Sequence, residues 1–568
     1  MVGLTLVERM GVKFRGARGG DGPLTYGQRN TLQWVVGEAE QTIQSMLPWV
    51  FDRPDQLGLD DVAEVFAVLV SRHESLRTTY HARGNGTVQR VAESGELVID
   101  VYQAAEGCED VAYDLVAQMR AQPFDLAQDL SVRVAVVAGD GDPRSGPVRA
   151  VVAMYTHMAV DFGALAVINE QFTALVADPA SRTVGPLGHQ PLDQAAFEQS
   201  ERGLRQNDRA LNYWEEQLWR RPQCQFPMPA VEQPQPLSGL LLARGVTQAL
   251  PRVMERTGTS APTVTLAAMC AVLARRTGQR HIVFSSLSNN RSGRLREYVG
   301  TLAQDSLVLV DADVARFDEL VRRVGTATLK AGRHSLYDPH GLERLALEIE
   351  RRRGVRYERD CAFNNLSAHE MSEGTLKLHS AQISNAGEDG SPGWKEPDFD
   401  PVALRFAMAK WAEQILLDVS TGHTGWLPAT EIEALLGAVE RLIVAAADQD
   451  VDLDRLTGIT GVEPIVRDAD WHNVDNSWIQ LSAVQDLLED ALPGCAPYAV
   501  IGVDSTLTAY LVGTDAVRTP SAAHSACMAA LRRHATAIAP AYYVLCDEVP
   551  ADPAGWPRQP VRAEGDGR

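Results

Sequence analysis

Between Val148 and Leu175 the chain changes period. VRAVVAMY is rich in β-branched and other apolar residues, the pattern of a strand covered by its neighbours. After THMAVD, the apolar residues Leu165, Ile168, Phe172 and Leu175 recur at three- and four-residue spacings, which predicts a helix with one buried side. A strand, a short turn and a helix present the turn's side chains from a rigid frame, and this turn carries His157 and Asp161. If the turn is helical, the two side chains lie near one side; if it is irregular, their spacing guarantees nothing. An imidazole here can take a proton from an attacking amine or alcohol, because its ordinary pKa is near neutrality. A polar turn histidine without chemistry fits the pattern as well, and Asp161 can either orient the ring or pair with an arginine.

The same mixture of periods runs through the chain. A helix is predicted over Leu59 to Val70, capped by Asp60 or Asp61, then a strand at Leu97, Ile99 and Val101. One long helix is predicted from Phe197 to Leu218. Pro222 to Pro236 holds five prolines and reads as a linker or an extended crossing. A helix at Thr263 to Leu273 and a strand at His281 to Ser286 follow. After Gly461 a third unit begins, with Trp478, Leu481, Val484 and Leu488 at helical spacing and Leu507, Ala509 and Leu511 alternating. The expected division is a flexible segment 1–20, lobes at 21–200 and 201–455, a small domain at 456–560 and a flexible tail 561–568.

Composition removes several classes. Lys and Arg number 53 against 74 Asp and Glu, a net charge of −21, so no basic footprint points to nucleic acid. No apolar run approaches the ~20 residues of a membrane span. The seven cysteines, Cys108 among them, are scattered without a CxxC pair, which fits a reduced, cytoplasmic protein better than a disulfide scaffold. There is no HExxH, GxGxxG, P-loop or GxSxG. His472 with Asp468, Asp470 and Asp475 reads as a solvated turn rather than a metal site. Arg351 to Gly354 reads as a solvated helix end, with a phosphate or acidic partner as the alternative.

Read with its neighbours, THMAVDFG resembles the condensation-domain superfamily of nonribosomal peptide synthesis. PLTYGQR, RHESLRTTY, PFDLAQDLSVRVAVV, NYWEEQL, VTLAAMCAVLARRTGQ, VFSSLSNNRSGRLREYVG and CAFNNLSA follow in the family's order, over about Pro23 to Ala447. The resemblance implies an α/β fold of two chloramphenicol-acetyltransferase-like lobes in a V, with a tunnel to the centre, plus the small C-terminal α+β domain. It implies substrates carried on phosphopantetheine arms by acyl or peptidyl carrier proteins, a synthetase as a further partner, no tightly bound cofactor and no metal. No cofactor-binding residues are assignable. The family motif HHxxxDG falls on Thr156, His157, Asp161 and Phe162, with Gly163 one place late. His157 is thereby the expected catalytic residue, as base or transition-state stabiliser, and Thr156, Asp161, Phe162 and Gly163 its support. Phe162 puts a ring where the family has no side chain, which would narrow the tunnel or reset the turn. Arg291 is the expected ion-pair partner of Asp161, with Arg77 as the alternative.

Residues 475–560 resemble the small C-terminal subdomain of adenylation enzymes, but the expected lysine falls at Trp556, so the resemblance implies no adenylation activity. The implied function is transfer of a carrier-bound acyl or peptidyl group to an amine, or to a hydroxyl. The alternatives are a noncatalytic scaffold that binds a carrier or synthetase, and a coenzyme A-dependent acyltransferase.

Overall fold

The computed structural model describes residues 3–35, 46–84, 86–104, 111–139, 142–144, 146–185, 188–226, 235–367, 391–395, 402–411 and 413–568. Cys108 and most of the proline-rich stretch, 227–234, lie outside them.

The valine-rich strands form the middle of a five-stranded sheet. Its order is Leu4–Arg15, Ser94–Ala104, Val132–Ala138, Val148–Thr156 and Met46–Val50. Alternate side chains go to opposite faces. Val134, Val136, Val151 and Ala153 meet the helices Leu59–Arg72 and Phe162–Ala177, whereas Ala135, Val137, Val152 and Met154 meet the helix Val111–Arg120. Covering on both faces explains why apolar residues run unbroken from Ala150 to Tyr155. A separate three-stranded sheet, Gly20–Pro23, Gly86–Val91 and Thr78–Arg83, belongs to the same half.

The second lobe is built on a seven-stranded sheet: Gln304–Asp311, His281–Ser288, Cys361–Asn365, Leu404–Trp411, Gln414–Thr421, Leu237–Leu242 and Gly393–Lys395. The helix Ala261–Thr277 is buried along most of its length in this core, so its small and apolar residues serve packing. The two-lobed α/β architecture is thus the expected one. No single helix among the described residues is long and apolar enough to cross a membrane.

The C-terminal unit has its own core under a four-stranded sheet, Tyr498–Ile501, Leu507–Val512, Tyr542–Cys546 and Val561–Gly565, flanked by Leu481–Ala491 and Pro520–Ala530. Arg353 fastens it to the second lobe. Only 2% of that side chain is exposed; its Nε donates to Asp475 at 2.8 Å and its Nη1 to the carbonyls of Leu218 and Arg221 at 2.6 and 2.8 Å. Gly354, at φ 70°, passes so close that a Cβ would stand 2.5 Å from the Ala539 carbonyl oxygen. The run Arg351 to Gly354 is therefore not simply a solvated helix end: its third arginine meets an acidic partner inside the chain.

Several local expectations are corrected. Of the segment 1–20, expected to be flexible, the described residues 3–20 are not a loose lead-in, since Leu4–Arg15 pairs antiparallel along Ser94–Ala104 and buries Val12 and Phe14. The 561–568 tail is likewise tied down, because Val561–Gly565 adds a strand beside Tyr542–Cys546. Trp478 lies in the strand Ser477–Gln480, entered through a tight turn at Asp475 and Asn476 with φ 48° and 62°. The long helix from Phe197 breaks at Ser200, whose hydroxyl accepts the Gly203 N–H and caps Glu201–Leu218. Gly58, not Asp60 or Asp61, caps Leu59–Arg72, while the Asp61 carboxylate accepts the Gly58 N–H at 3.2 Å.

Candidate active site

The strand Val148–Thr156 ends where Thr156 closes a tight turn: its carbonyl accepts the N–H groups of Ala159 at 3.0 Å and Val160 at 3.3 Å. Thr156 itself is buried, and its Oγ1 receives the Met158 N–H at 3.4 Å. His157 rides on this turn, half-buried between fully buried neighbours. Burial pushes its imidazole below the ordinary histidine value, opposed by the negative charge of Asp161 and by the residue's own main chain. The neutral ring is the form that can accept a proton.

Asp161 caps the helix Phe162–Ala177 and joins the lobes. One carboxylate oxygen accepts the Ala164 N–H at 2.9 Å and Arg291 Nη2 at 2.6 Å. The other accepts the N–H groups of Leu302 and Ala303 at 2.8 and 2.9 Å and Arg291 Nη1 at 3.0 Å. Arg291, Leu302 and Ala303 all come from the second lobe. The pair is buried, with 6% and 2% of the two side chains exposed. Burial pushes Asp161 up, but the Arg291 charge and these hydrogen bonds outweigh it and hold the carboxyl below its ordinary value. Arg291 also donates to the Gly300 and Tyr298 carbonyls, so its plane is fixed on both edges. A carboxylate held by five donors is a structural rivet rather than a proton carrier.

Arg77 is placed elsewhere. It is fully buried, donating to the carbonyls of Arg18 and Ala92 and packed against Gly16. Phe162 is half-buried at the first helical position. Gly163 runs against the guanidinium of Arg291: a Cβ there would stand 2.5 Å from Nη1. The small residue needed beside the ion pair is thus supplied by Gly163. Among the described residues no group of three or more His, Cys, Asp and Glu side chains could hold a metal ion.

Sequence reasoning missed two parts of this arrangement. The main-chain donors Leu302 and Ala303 leave no mark in residue type. Tyr80 carried a weak signal inside RHESLRTTY: it is buried, and its hydroxyl donates to the Met158 carbonyl at 2.8 Å.

Comparison with known proteins agrees with the two-lobed fold. The chain is 26% identical over 333 residues to the beauvericin nonribosomal cyclodepsipeptide synthetase of Beauveria bassiana, covering 55% of this chain and 10% of that protein. The chain therefore spans about a tenth of the length of that curated relative. Among solved structures, the condensation domain of the monacolin K polyketide synthase MokA is similar with a TM-score of 0.59 at 17% identity, over 76% of this chain and 99% of that one. The X-domain solved in complex with OxyB from teicoplanin biosynthesis is similar with a TM-score of 0.55 at 19% identity, over 78% and 96%. Residues 20–388 match the family described as the condensation domain. With that match over more than half of its length, the chain belongs to the condensation-domain family.

Proposed function

We propose that the protein is an acyltransferase of the condensation type, which moves an acyl or peptidyl group from a carrier-protein thioester to an amine, or less readily to a hydroxyl. The observation that carries this reading is His157, kept neutral by burial on a turn that Asp161 rivets to the opposite lobe. The acceptor nitrogen attacks the thioester carbonyl; the C–N bond forms as His157 takes the nitrogen's proton. Collapse of the tetrahedral adduct breaks the C–S bond, and the departing pantetheine thiolate recovers a proton. Thr156 cannot act as a second imidazole; its hydroxyl holds the turn instead. Two substrates held end to end lose most of their orientational freedom before reaction, which lowers the barrier without a metal.

Carrier proteins are the partners this chemistry calls for, with a synthetase as a further one. Because the net charge is −21, an acidic carrier would need a local basic patch. We read residues 456–560 as a docking or stabilising unit descended from an adenylation subdomain. Trp556, where that chemistry would need a lysine, is buried beside Val544 and Cys546.

A second reading is a condensation-like scaffold. Thr156 at the first histidine position favours it, as does the likeness to an X-domain solved in complex with OxyB. Intact-mass detection separates the two: purified protein is mixed with acyl-loaded carrier and an amine. Product from the parent and none from a folded His157→Ala variant supports catalysis, whereas equal turnover by both removes His157 from the chemistry.

A further inference from the structure

We infer that Tyr80 is the positioning residue for His157: its hydroxyl holds the Met158 peptide and so fixes the turn that aims the imidazole. This deepens, and rests on, the reading of His157 as the reacting group.

Met158 follows His157 directly, and its main chain is gripped at both the N–H and the carbonyl. Its N–H goes to Thr156 Oγ1 at 3.4 Å and its carbonyl receives Tyr80 Oη at 2.8 Å. Met158 is completely buried, so no solvent replaces either partner. The donor is itself immobilised. The Tyr80 ring packs with Leu24 and Met158, and its N–H donates to the Leu126 carbonyl at 2.7 Å. Burial pushes the phenol far up, so it remains a donor at any accessible pH.

Ser131 ties the strand that bears Tyr80 to the turn, and Gln28 reaches that strand through Gln89, the cross-strand partner of Tyr80. Ser131 Oγ donates to the Thr78 carbonyl at 2.6 Å, while its own carbonyl accepts the Thr156 N–H at 3.1 Å. Gln28 forms a reciprocal cap with Thr25, N–H to side-chain oxygen in each direction, at 2.9 and 3.2 Å. Its amide donates to Gln89 at 3.1 Å, and Gln89 donates to the Pro23 carbonyl at 2.9 Å. Gln28, Gln89, Ser131, Tyr80 and Met158 are all buried. Such a network specifies one geometry, and its terminus is the carbonyl of Met158, the residue after His157.

Tyr80→Phe keeps the ring and deletes only the grip. The readout is the His157 ring resonance in protein carrying ¹³C-labelled histidine, identified by its absence in His157→Gln. In Tyr80→Phe that resonance should broaden, and its titration midpoint should rise by about half a unit or more towards the ordinary value, while the other histidines stay in place. A His157 signal and titration identical to the parent would overturn the proposal. Should Tyr80→Phe fail to fold, seen as collapse of every dispersed signal, Thr156→Val removes the grip on the N–H of the same residue, Met158, and must move His157 in the same way.

Kinetics give an independent arm, with octanoyl-pantetheine as donor and leucyl-pantetheine as acceptor. Tyr80→Phe should lower kcat about tenfold with KM within about twofold, and in a His157→Gln background it should change the residual rate by less than about twofold. Equal fractional losses in both backgrounds would make Tyr80 merely structural and overturn the proposal. Absence of product from the parent with this pair would count against the proposed reaction, whereas the resonance experiment still decides the role of Tyr80.

Discussion

Replacing Asp161 by asparagine tests the rivet between the lobes. The carboxylate accepts five donors: Ala164 N–H and Arg291 Nη2 on one oxygen, and Leu302 N–H, Ala303 N–H and Arg291 Nη1 on the other. An asparagine keeps one acceptor oxygen and turns its NH₂ towards the side with fewer donors, that of Ala164 and Arg291 Nη2. Two buried donors then face a donor, and Arg291 loses its counter-charge in a place where almost none of it is exposed. Removing one member of a buried ion pair costs about 3–5 kcal/mol, a range that the two lost hydrogen bonds also reach. For lobes of this size the melting temperature should fall by on the order of 10 °C. Scanning calorimetry or dye-monitored melting reads this directly.

The effect has a definite pH dependence. The folded carboxyl is held below its ordinary value, so the unfolded chain binds more protons as pH falls. The stabilisation is therefore complete above the unfolded carboxyl pKa of about 3.9 and is lost as pH drops through the lower folded value. Parent and Asp161→Asn should differ fully near neutrality and converge in strong acid. A variant that melts within about 2 °C of the parent at pH 7 would refute the reasoning, because two unpaired buried donors cannot be that cheap.

Three further outcomes follow. His157 lies below its ordinary value, so kcat/KM should be flat through neutrality and lose its His157-dependent part only below about pH 6.5; an acid limb centred well above that would contradict the burial argument. Arg353→Met should expose the joint between the second lobe and the C-terminal unit: the buried carbonyls of Leu218 and Arg221 each lose a charged donor, at about 1–3 kcal/mol, and the chain near Asp475 opens to limited proteolysis; a digest matching the parent would refute it. Glu198 is buried, which pushes its carboxyl up to about 7, while its oxygens accept the Tyr26 N–H and the Gln194 amide. A raised acid pKa makes the folded state bind more protons, so stability should decline as pH rises from about 4.5 towards 7, and urea midpoints that rise over that span would reverse the sign.

The parts of the fold written in side-chain periodicity could be read from the sequence. The valines of the central sheet and the 3.6-residue spacing after Asp161 predict the strand and helix that frame the turn. Leu4–Arg15 was misread although Met10, Val12 and Phe14 alternate, because the neighbouring Gly and Arg residues suggested a loop. Val561–Gly565 carries almost no apolar signal; its place is set by the hydrogen-bonding edge of Tyr542–Cys546, which composition does not show. Trp478 joined a helical pattern by coincidence of spacing, and the Asp475-Asn476 pair was the turn signal that outranked it.

At the site, His157 and Asp161 are readable as residue types at one turn. Arg291 lies 130 residues away and came only through family likeness. The rest of the grip on Asp161 is main chain, where every residue carries the same N–H. Gly163 shows the limit from the other side: its purpose depends on where Arg291 comes to rest, which is a property of the assembled lobes.

The Asp161–Arg291 contact couples shape change to chemistry. Since Arg291 grips the carboxylate from the second lobe while Ala164 grips it from the first, the two halves cannot hinge apart without pulling on the loop that bears the imidazole. On the proposed reaction, a cargo that pries the lobes open on arrival would retune the ring before any bond is made, and entry of one reactant would be felt where the other is to react.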